Sequence, residues 1–255
     1  MGLRRLLKKS AQTLPADAYP PVYMVFCYFV GGVISPVLSN LYLHEVLDLW
    51  FEHEVKPRLL GRAFEIRFAD DAALVFERKE DARRVLAVLS KRFAKYGLRL
   101  HPEKTHLVDF RSPPRAGGGG SQRERSFGLL GFTHYWGRSR KGRWVVQRKT
   151  AKDRFTRALR EIGRWCRAHR HWPVAAQQAA LHRKLKGHYA YYGITGNGRA
   201  LACFLYEVRR LWRKWLHRRS WRGRMTWEKF GRLVARYPLP QPRVVHSIYR
   251  RAATL

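Results

Sequence analysis

Two adjacent aspartates, Asp70 and Asp71, stand between two apolar stretches in the segment EIRFADDAALVF. Carboxylates in an apolar setting cost desolvation energy unless a turn, a cation or a metal ion compensates them. Carboxylate oxygens are the ligands that Mg²⁺ prefers, so one interpretation of the pair is a metal site. The other interpretation is an ordinary Asp-rich turn, which the pair by itself does not exclude.

The residues on either side predict that the pair lies at the tip of a β-hairpin. Residues 62–68 and 72–76 are rich in Ile, Val, Phe and Leu and read as two short strands. Because neighbouring side chains on a strand alternate in direction, one Asp can face a cleft while the other reaches a second ion or a backbone group. Two-metal phosphoryl transfer needs ions roughly 3.5–4 Å apart, bridged by carboxylates from more than one segment.

Charge is the most extreme feature of the composition. The chain has 52 Lys and Arg against 18 Asp and Glu, which gives a formal net charge of +34. A field of that sign attracts polyanions, and the 9 Trp and 12 Tyr could stack on bases. Nucleic acid is therefore the predicted partner. A basic membrane-surface protein and a general effect on solubility are the alternatives.

The cysteines and histidines indicate no zinc site. Cys27, Cys166 and Cys203 are scattered and form no CxxC pair, which favours a reducing compartment and argues against a zinc finger. The 11 His show no spacing typical of a ligand set. We expect a cytoplasmic protein of bacterial type that associates with nucleic acid.

One apolar run imitates a signal or membrane segment. Residues 22–37 read VYMVFCYFVGGVISPV and follow the basic start MGLRRLLKK. The run is shorter than the ~20 residues that a span needs, and it contains Gly31, Gly32 and Pro36. No small-residue cleavage site follows it. We therefore expect no membrane partner.

The distribution of charge predicts two regions. Residues 31–111 hold 14 basic and 12 acidic residues, whereas residues 148–251 hold 27 basic and 4 acidic residues. This contrast favours a near-neutral scaffold or catalytic region followed by a basic region that binds nucleic acid. Between them, residues 112–126 are rich in Gly and polar residues and predict a flexible loop.

Hydrophobic periodicity predicts an α+β fold with mostly antiparallel pairing, followed by an all-α region. In the first region a helix begins after Ser35 and stops near Pro57. Another opens at Asp81 and is closed by Gly97. In the second region four apolar stripes at helical spacing predict four helices, and the apolar residues of each stripe are expected to face the core. The stripes run from Phe155 to Trp165, Leu181 to Tyr192, Leu201 to Trp215, and Trp227 to Val234.

Six segments follow one another in the order and at the spacing of a known family. They read GGVISPVLSNLYLHEVLDLWF, IRFADDAALVF, EDARRVLAVLSKRFAKYGLRLHPEKTHLVDF, FGLLGFTHYW, KLKGHYAYYGITGNGRAL and MTWEKFGRLVARYPLPQPRVVHS. From Gly31 to about Ser247 the chain resembles the group II intron reverse transcriptase/maturase family. Any one segment alone would be a weak indication, whereas six in order are specific.

The resemblance implies both an architecture and an activity. The fold would be a partial reverse-transcriptase palm at residues 31–147, an antiparallel sheet with helices, followed by a basic helical thumb or maturase domain at residues 148–247. The activity would be RNA-directed DNA polymerisation by two-metal nucleotidyl transfer, together with assistance to RNA splicing. The partners would be group II intron RNA, a DNA target or primer strand, and deoxynucleoside triphosphates.

The resemblance also implies roles for single residues of the palm. Asp70 and Asp71 match the metal-binding aspartates of the family's YADD signature and would bind Mg²⁺. Phe68 stands where the family usually has Tyr, so the ring is kept and the hydroxyl near the incoming nucleotide is lost. That loss would weaken polymerisation.

Further palm positions follow from the same resemblance. Gly31, Gly32 and Ser35 fall on the loop that approaches the template and the incoming nucleotide, where Gly permits close approach of the backbone. Lys104 falls near the leaving pyrophosphate, as a proton donor or as a phosphate-facing or solvated lysine. The segment FGLLGF, residues 127–132, matches the primer-grip strand.

The basic helical region supplies the candidate RNA-binding residues. Aromatic and cationic side chains in one segment can stack on bases and bind phosphates together. Tyr189 and Tyr192 belong either to such a surface or to the core, and the sequence leaves both open. The candidate RNA-binding residues are Lys186, His188, Tyr191, Arg209, Arg210, Arg213 and Lys214.

The family pattern is incomplete at the start of the chain. Residues 1–30 resemble nothing in the family, and their one acid, Asp17, matches no catalytic strand. We therefore expect an N-terminally truncated family member that lacks the upstream catalytic aspartate and does not polymerise DNA alone. Three functions stay open: a polymerase completed in trans, a non-catalytic RNA-binding maturase module, and the product of a decayed reading frame.

Overall fold

Strands and helices alternate in the first part of the chain, and helices alone make up most of the second part. The computed structural model describes residues 23–28, 36–101, 105–111, 126–139, 141–220 and 224–247. The chain divides into two units, residues 1–147 (unit 1) and residues 148–255 (unit 2). The predicted α+β class with antiparallel sheets is confirmed.

A four-stranded sheet forms the centre of unit 1. Its strands are β1 (Tyr23–Tyr28), β2 (Ala63–Phe68), β3 (Asp71–Phe76) and β4 (His106–Asp109), in the spatial order β2-β3-β1-β4. All three neighbouring pairs are antiparallel. Strand β1 was not predicted, because its residues lie in the apolar run that imitates a membrane segment.

Two helical segments bury the apolar residues of unit 1. Helix α1 (Pro36–Leu43) continues through the π-helical turns His44–Leu49 and Phe51–Val55, and a 3₁₀ turn, Lys56–Arg58, ends the run. Helix α2 (Lys79–Lys95) carries an apolar stripe toward the same core. The most deeply buried side chains include Leu47, Phe51, Leu74, Phe76, Leu89 and Phe93.

The start of α2 differs from the prediction that Asp81 opens it. The helix begins two residues earlier, and Asp81 is buried in its first turn. One carboxylate oxygen of Asp81 accepts hydrogen bonds from the backbone N–H groups of Leu60 and Gly61, at 3.0 and 2.9 Å. Asp81 therefore anchors the preceding loop. The predicted stop at Gly97 holds, with a left-handed φ of +68°.

A second sheet contains β5 (Ser126–Leu129), β6 (Phe132–Arg138) and β7 (Trp144–Thr150) in that order. Leu130 and Gly131 both have positive φ, which is the sign pattern of a type I′ hairpin turn. The segment 127–132 is therefore not a single strand, as the resemblance implied. It crosses from β5 to β6 through this turn.

Unit 2 contains the four helices that periodicity predicted. They are α3 (Lys152–Ala168), α4 (Val174–Tyr192), α5 (Gly198–His217) and α6 (Trp227–Arg236). Their apolar stripes meet in one core that includes Leu181, Leu185, Leu201, Phe204, Val208 and Trp212. Across the described part of the chain, no helix is both long and apolar enough to cross a membrane.

Candidate metal-binding hairpin and nucleic-acid interface

The β2–β3 hairpin places Asp70 and Asp71 at a two-residue turn. Phe68 pairs with Asp71, so Ala69 and Asp70 form the turn and Asp71 begins β3. Ala69 has a φ of +52° and Asp70 does not have a positive φ, which is the sign pattern of a type II′ turn. A left-handed conformation costs a non-glycine residue about 1–2 kcal/mol, so other contacts must hold this turn.

The two carboxylates have the chemistry and the accessibility that Mg²⁺ requires. Asp70 is exposed, and Asp71 is half-buried on the same sheet face as Phe68, its antiparallel partner. Mg²⁺ in nucleotide-processing sites is bound by one or two carboxylates, with substrate phosphates and water completing its shell. Asp70 and Asp71 fit that requirement. Among the described residues, no group of three or more His, Cys, Asp or Glu could hold a metal ion.

Arg67 braces the turn from the opposite face of β2. Its guanidinium donates two hydrogen bonds to the carboxylate of Asp48, at 2.6 and 2.7 Å. It also donates to the carbonyl oxygen of Ala69 at 3.1 Å and to the side-chain oxygen of Asn40 at 2.9 Å. The left-handed residue of the turn is thus tied, through Arg67, to the helical run that starts at α1.

A buried carboxyl group lies beside this brace. Burial, and then the negative charge of Asp48, raise the pKa of Glu65 to about 8. Burial also opposes ionisation of Asp48, but hydrogen bonds from Arg67 and His44 and the charge of Arg67 outweigh it, so the pKa of Asp48 falls below 3.8. At neutral pH, Glu65 therefore holds a proton and shares a hydrogen bond with the ionised Asp48.

Replacing Glu65 by Gln is expected to stabilise unit 1 at alkaline pH. The folded-state pKa of Glu65 is raised, so its contribution to stability is fully present below about 4.5 and is lost as the pH rises through about 8. Gln keeps a hydrogen-bond donor and does not ionise. Relative to the unsubstituted protein, Glu65→Gln should gain on the order of 1–3 kcal/mol at pH 9 and nothing at pH 4.

Urea denaturation across this pH range measures the effect. The control is Glu45→Gln, at an exposed position of the helical run. The difference in stability between this variant and the unsubstituted protein should not change with pH. A Glu65→Gln protein whose stability follows the unsubstituted protein at every pH would contradict the assignment of the proton to Glu65.

Four predicted palm residues lie outside the described part of the chain. They are Gly31, Gly32, Ser35 and Lys104. Phe68 is described, and its ring is 41% exposed on the face of β2 that also carries Phe64 and Ile66. The structure therefore brings together Asp70, Asp71 and Phe68, and the roles of the four others stay predictions.

Comparison with known families bears on the segment that contains this hairpin. Residues 22–134 match the family Reverse transcriptase (RNA-dependent DNA polymerase). This reverse-transcriptase segment covers somewhat less than half of the chain and includes the whole four-stranded sheet. It begins at residue 22, so it takes in β1, which the sequence interpretation left outside the resemblance. No curated protein matches the chain.

Unit 2 lies wholly outside the reverse-transcriptase segment and has a large excess of cations. Its 4 acidic residues stand against 27 Lys and Arg. Each acid pairs with an Arg of its own helix: Asp153 with Arg154, Glu161 with Arg164, Glu207 with Arg210, and Glu228 with Arg232. Carboxylates of unit 2 can therefore neutralise only a small part of its positive charge, which suits a polyanionic partner.

The predicted RNA-binding residues of α4 differ in their surroundings. Lys186 and Tyr191 are exposed. The ring of His188 is stacked on Phe204, with the centroids 3.8 Å apart, and burial lowers its pKa to about 4. His188 is thus neutral at pH 7 and offers no charge to a phosphate, so its role in RNA binding stays a prediction. Tyr189 is buried and donates to the carbonyl oxygen of Pro240, as a core residue does.

The predicted residues of α5 form a basic face. Arg210 and Lys214 are exposed, whereas Arg209 and Arg213 are half-buried. Arg213 donates to the carbonyl oxygen of Met225 at 3.0 Å. The Nε atoms of Arg209 and Arg213 are buried and have no hydrogen-bond partner among the described residues. Arg210 and Lys214 are therefore the members of this face most accessible to a partner.

Two aromatic residues next to this face were not predicted as binding residues. The apolar stripe assigned Trp227 to the core, yet its side chain is 54% exposed, and Tyr206 on α5 is 58% exposed. Trp227 is the first residue of α6, directly after the N-cap Thr226, and Phe230 fills the core position instead. Helical periodicity shows which face of a helix is apolar, but it does not show whether a residue at the end of that face is buried.

Proposed function

We propose that the chain carries the palm and thumb of a group II intron reverse transcriptase/maturase, and that unit 2 binds intron RNA. The observation that carries the proposal is the hairpin tip with two adjoining aspartates inside the reverse-transcriptase segment. The charge of unit 2 supports the RNA-binding part, since 27 cations stand against four paired acids. The ordered motifs that continue to about Ser247 support the maturase part.

In this proposal Asp70 and Asp71 hold Mg²⁺. The bound metal supplies Lewis-acid stabilisation of phosphate charge during nucleotidyl transfer. Arg67 holds the turn that presents the two carboxylates, through the carbonyl oxygen of Ala69. A two-metal site also needs a carboxylate from another segment, and the described residues bring no third acidic ligand to this pair, so we expect no primer extension by this chain alone.

A non-catalytic RNA-binding module is the second candidate. It is favoured by Phe68, which lacks the hydroxyl of the usual Tyr, and by the two-carboxylate ligand set. Under this alternative unit 2 would bind RNA and the hairpin would bind no metal.

Metal and RNA binding by the full chain distinguish these candidates. Mn²⁺ accepts the same carboxylate ligands as Mg²⁺ and is followed by electron paramagnetic resonance. We expect the protein to bind Mn²⁺, and Asp70→Asn/Asp71→Asn to lose that binding while it keeps its affinity for a structured RNA. Asp109→Asn, which changes an aspartate on β4 paired with Arg111, should keep both.

The outcomes separate the two parts of the proposal. Equal Mn²⁺ binding by the unsubstituted protein and the double variant would reject the metal site and favour the second candidate. A protein that binds no RNA at low salt would reject both candidates.

A further inference from the structure

An open depression lies between α5 and α6 in unit 2, with a volume of about 270 Å³. This is slightly below the roughly 300–1,000 Å³ of pockets that hold drug-sized ligands, so a single planar ring system suits it better than a larger molecule. Three aromatic side chains, two arginines, one glycine and one valine line it: Tyr206, Arg209, Arg210, Trp227, Phe230, Gly231 and Val234.

Trp227 forms a rigid and accessible wall of this depression. Its indole is held edge-on by the buried Phe230, with ring centroids 6.1 Å apart. The guanidinium carbon of Arg213 lies 4.0 Å from the centroid of the Trp227 ring, and Arg213 is itself fixed by its hydrogen bond to Met225. Arg213 is not among the lining residues of the depression. A ring fixed in this way loses little entropy when a ligand stacks on it.

The cations beside the aromatic wall are suited to a phosphate. Arg209 is half-buried and lines the depression, so its positive charge lies beside a ligand bound there. Arg210 donates hydrogen bonds to the two carboxylate oxygens of Glu207, at 3.1 and 3.2 Å, so its positive charge is partly compensated. Bases stacked on aromatic rings, with cations along the backbone, are the usual means of binding single-stranded nucleic acid.

We propose that this depression binds one unpaired base of a single-stranded nucleic acid, stacked on Trp227 with its phosphate near Arg209. The inference rests on the proposed RNA-binding function and names the part of the nucleic acid that unit 2 contacts. Gly231 has no side chain and so leaves the depression open. A Cβ atom at that position would meet no atom within 4 Å. A side chain there would extend into open space, and for a large residue that space is the depression.

The first experiment removes the aromatic wall and, separately, the bases. The full chain is titrated into a labelled single-stranded RNA of about 12 nucleotides, and into an abasic strand of the same length and charge. Trp227→Ala should lower the affinity for the base-containing strand about tenfold and leave the abasic strand unaffected, because stacking contributes roughly 1–3 kcal/mol per base. The matched control is Trp172→Ala, which changes a tryptophan 47% exposed and outside the depression.

The second experiment fills the depression and removes no aromatic ring or charge. Gly231→Leu should lower the affinity for the base-containing strand as Trp227→Ala does. Gly231→Ala is the matched control, since a methyl group is too small to fill the space. Neither change is expected to weaken folding, because other residues are favoured over Gly inside a helix by roughly 0.5–1 kcal/mol.

The results separate this inference from the proposed function. The inference is supported if Trp227→Ala and Gly231→Leu both lower the affinity for the base-containing strand and leave the affinity for the abasic strand unchanged. Wild-type affinity in both variants, or equal losses for abasic and base-containing strands, overturns it while RNA binding by unit 2 stands. Failure of the unsubstituted protein to bind any RNA overturns the inference together with the proposed function.

Discussion

Raising the salt concentration from roughly 50 to 200 mM is expected to weaken RNA binding by about 10³-fold or more, if about six phosphates are contacted. Each neutralised phosphate releases condensed counterions, so the logarithm of the affinity falls linearly with the logarithm of the salt concentration. The physical source is the excess of cations in unit 2, where 27 Lys and Arg stand against four paired acids. Fluorescence anisotropy at a series of salt concentrations measures the slope.

Single charge changes locate the contacts that produce this slope. Lys214→Gln removes an exposed cation on the basic face of α5 and should reduce the slope by about one, as the loss of one phosphate contact does. Lys91→Gln removes an exposed lysine from α2 in unit 1 and should leave the slope unchanged. A flat response of the unsubstituted protein to salt would contradict RNA binding through the basic helices.

Replacing Arg67 by Met is expected to lower the stability of unit 1 by about 3–5 kcal/mol. The side chain of Arg67 is 14% exposed and that of its partner Asp48 is 24% exposed. Met fills similar volume but leaves Asp48 without its two charge-assisted hydrogen bonds. It also leaves the carbonyl oxygen of Ala69 without the brace that holds the turn. Hydrogen exchange of residues 63–76, together with urea denaturation, reports both effects.

The pH dependence of this loss follows from Asp48. The folded-state pKa of Asp48 is lowered, so its contribution is present above 3.8 and is lost as the pH falls through the lower folded value. The difference between Arg67→Met and the unsubstituted protein should therefore narrow in acid. Asp48→Leu combined with Arg67→Met should recover part of the stability, since both charges are then gone.

Arg62→Met serves as the control, at the position directly before β2. It removes an exposed ion pair with Glu77 and should change stability little. If Arg67→Met were as mild as Arg62→Met, Arg67 would not brace the hairpin.

Periodic patterns predicted the elements that carry the site, but not the contacts that hold it. The β2–β3 hairpin, α2 and the four helices of unit 2 were all expected, because alternation and helical spacing are local signals. The brace of Arg67 was not expected. It joins β2 to a helical run 19 residues away in sequence, and such a contact is set by packing rather than by spacing.

Strand β1 was missed for a related reason. It lies between β3 and β4 in the sheet, and its continuous apolar run cannot be told from a buried helix or a membrane segment by periodicity alone. Trp227 was misplaced because helical spacing assigned it to the core stripe, whereas it begins α6 and is 54% exposed. Spacing gives a direction around the helix axis, and burial also depends on where the neighbouring helix ends.

Among the described residues, β2 lies at the edge of the four-stranded sheet, and this position has a consequence for the protein in solution. An edge strand presents unpaired backbone groups, and this one also exposes Phe64, Ile66 and Phe68. A second copy could add a strand there, and such pairing is a common start of aggregation. At low ionic strength the net charge of +34 keeps copies apart. Salt that releases RNA also screens this repulsion, so the RNA-free protein at high salt is the form most exposed to association between its edges.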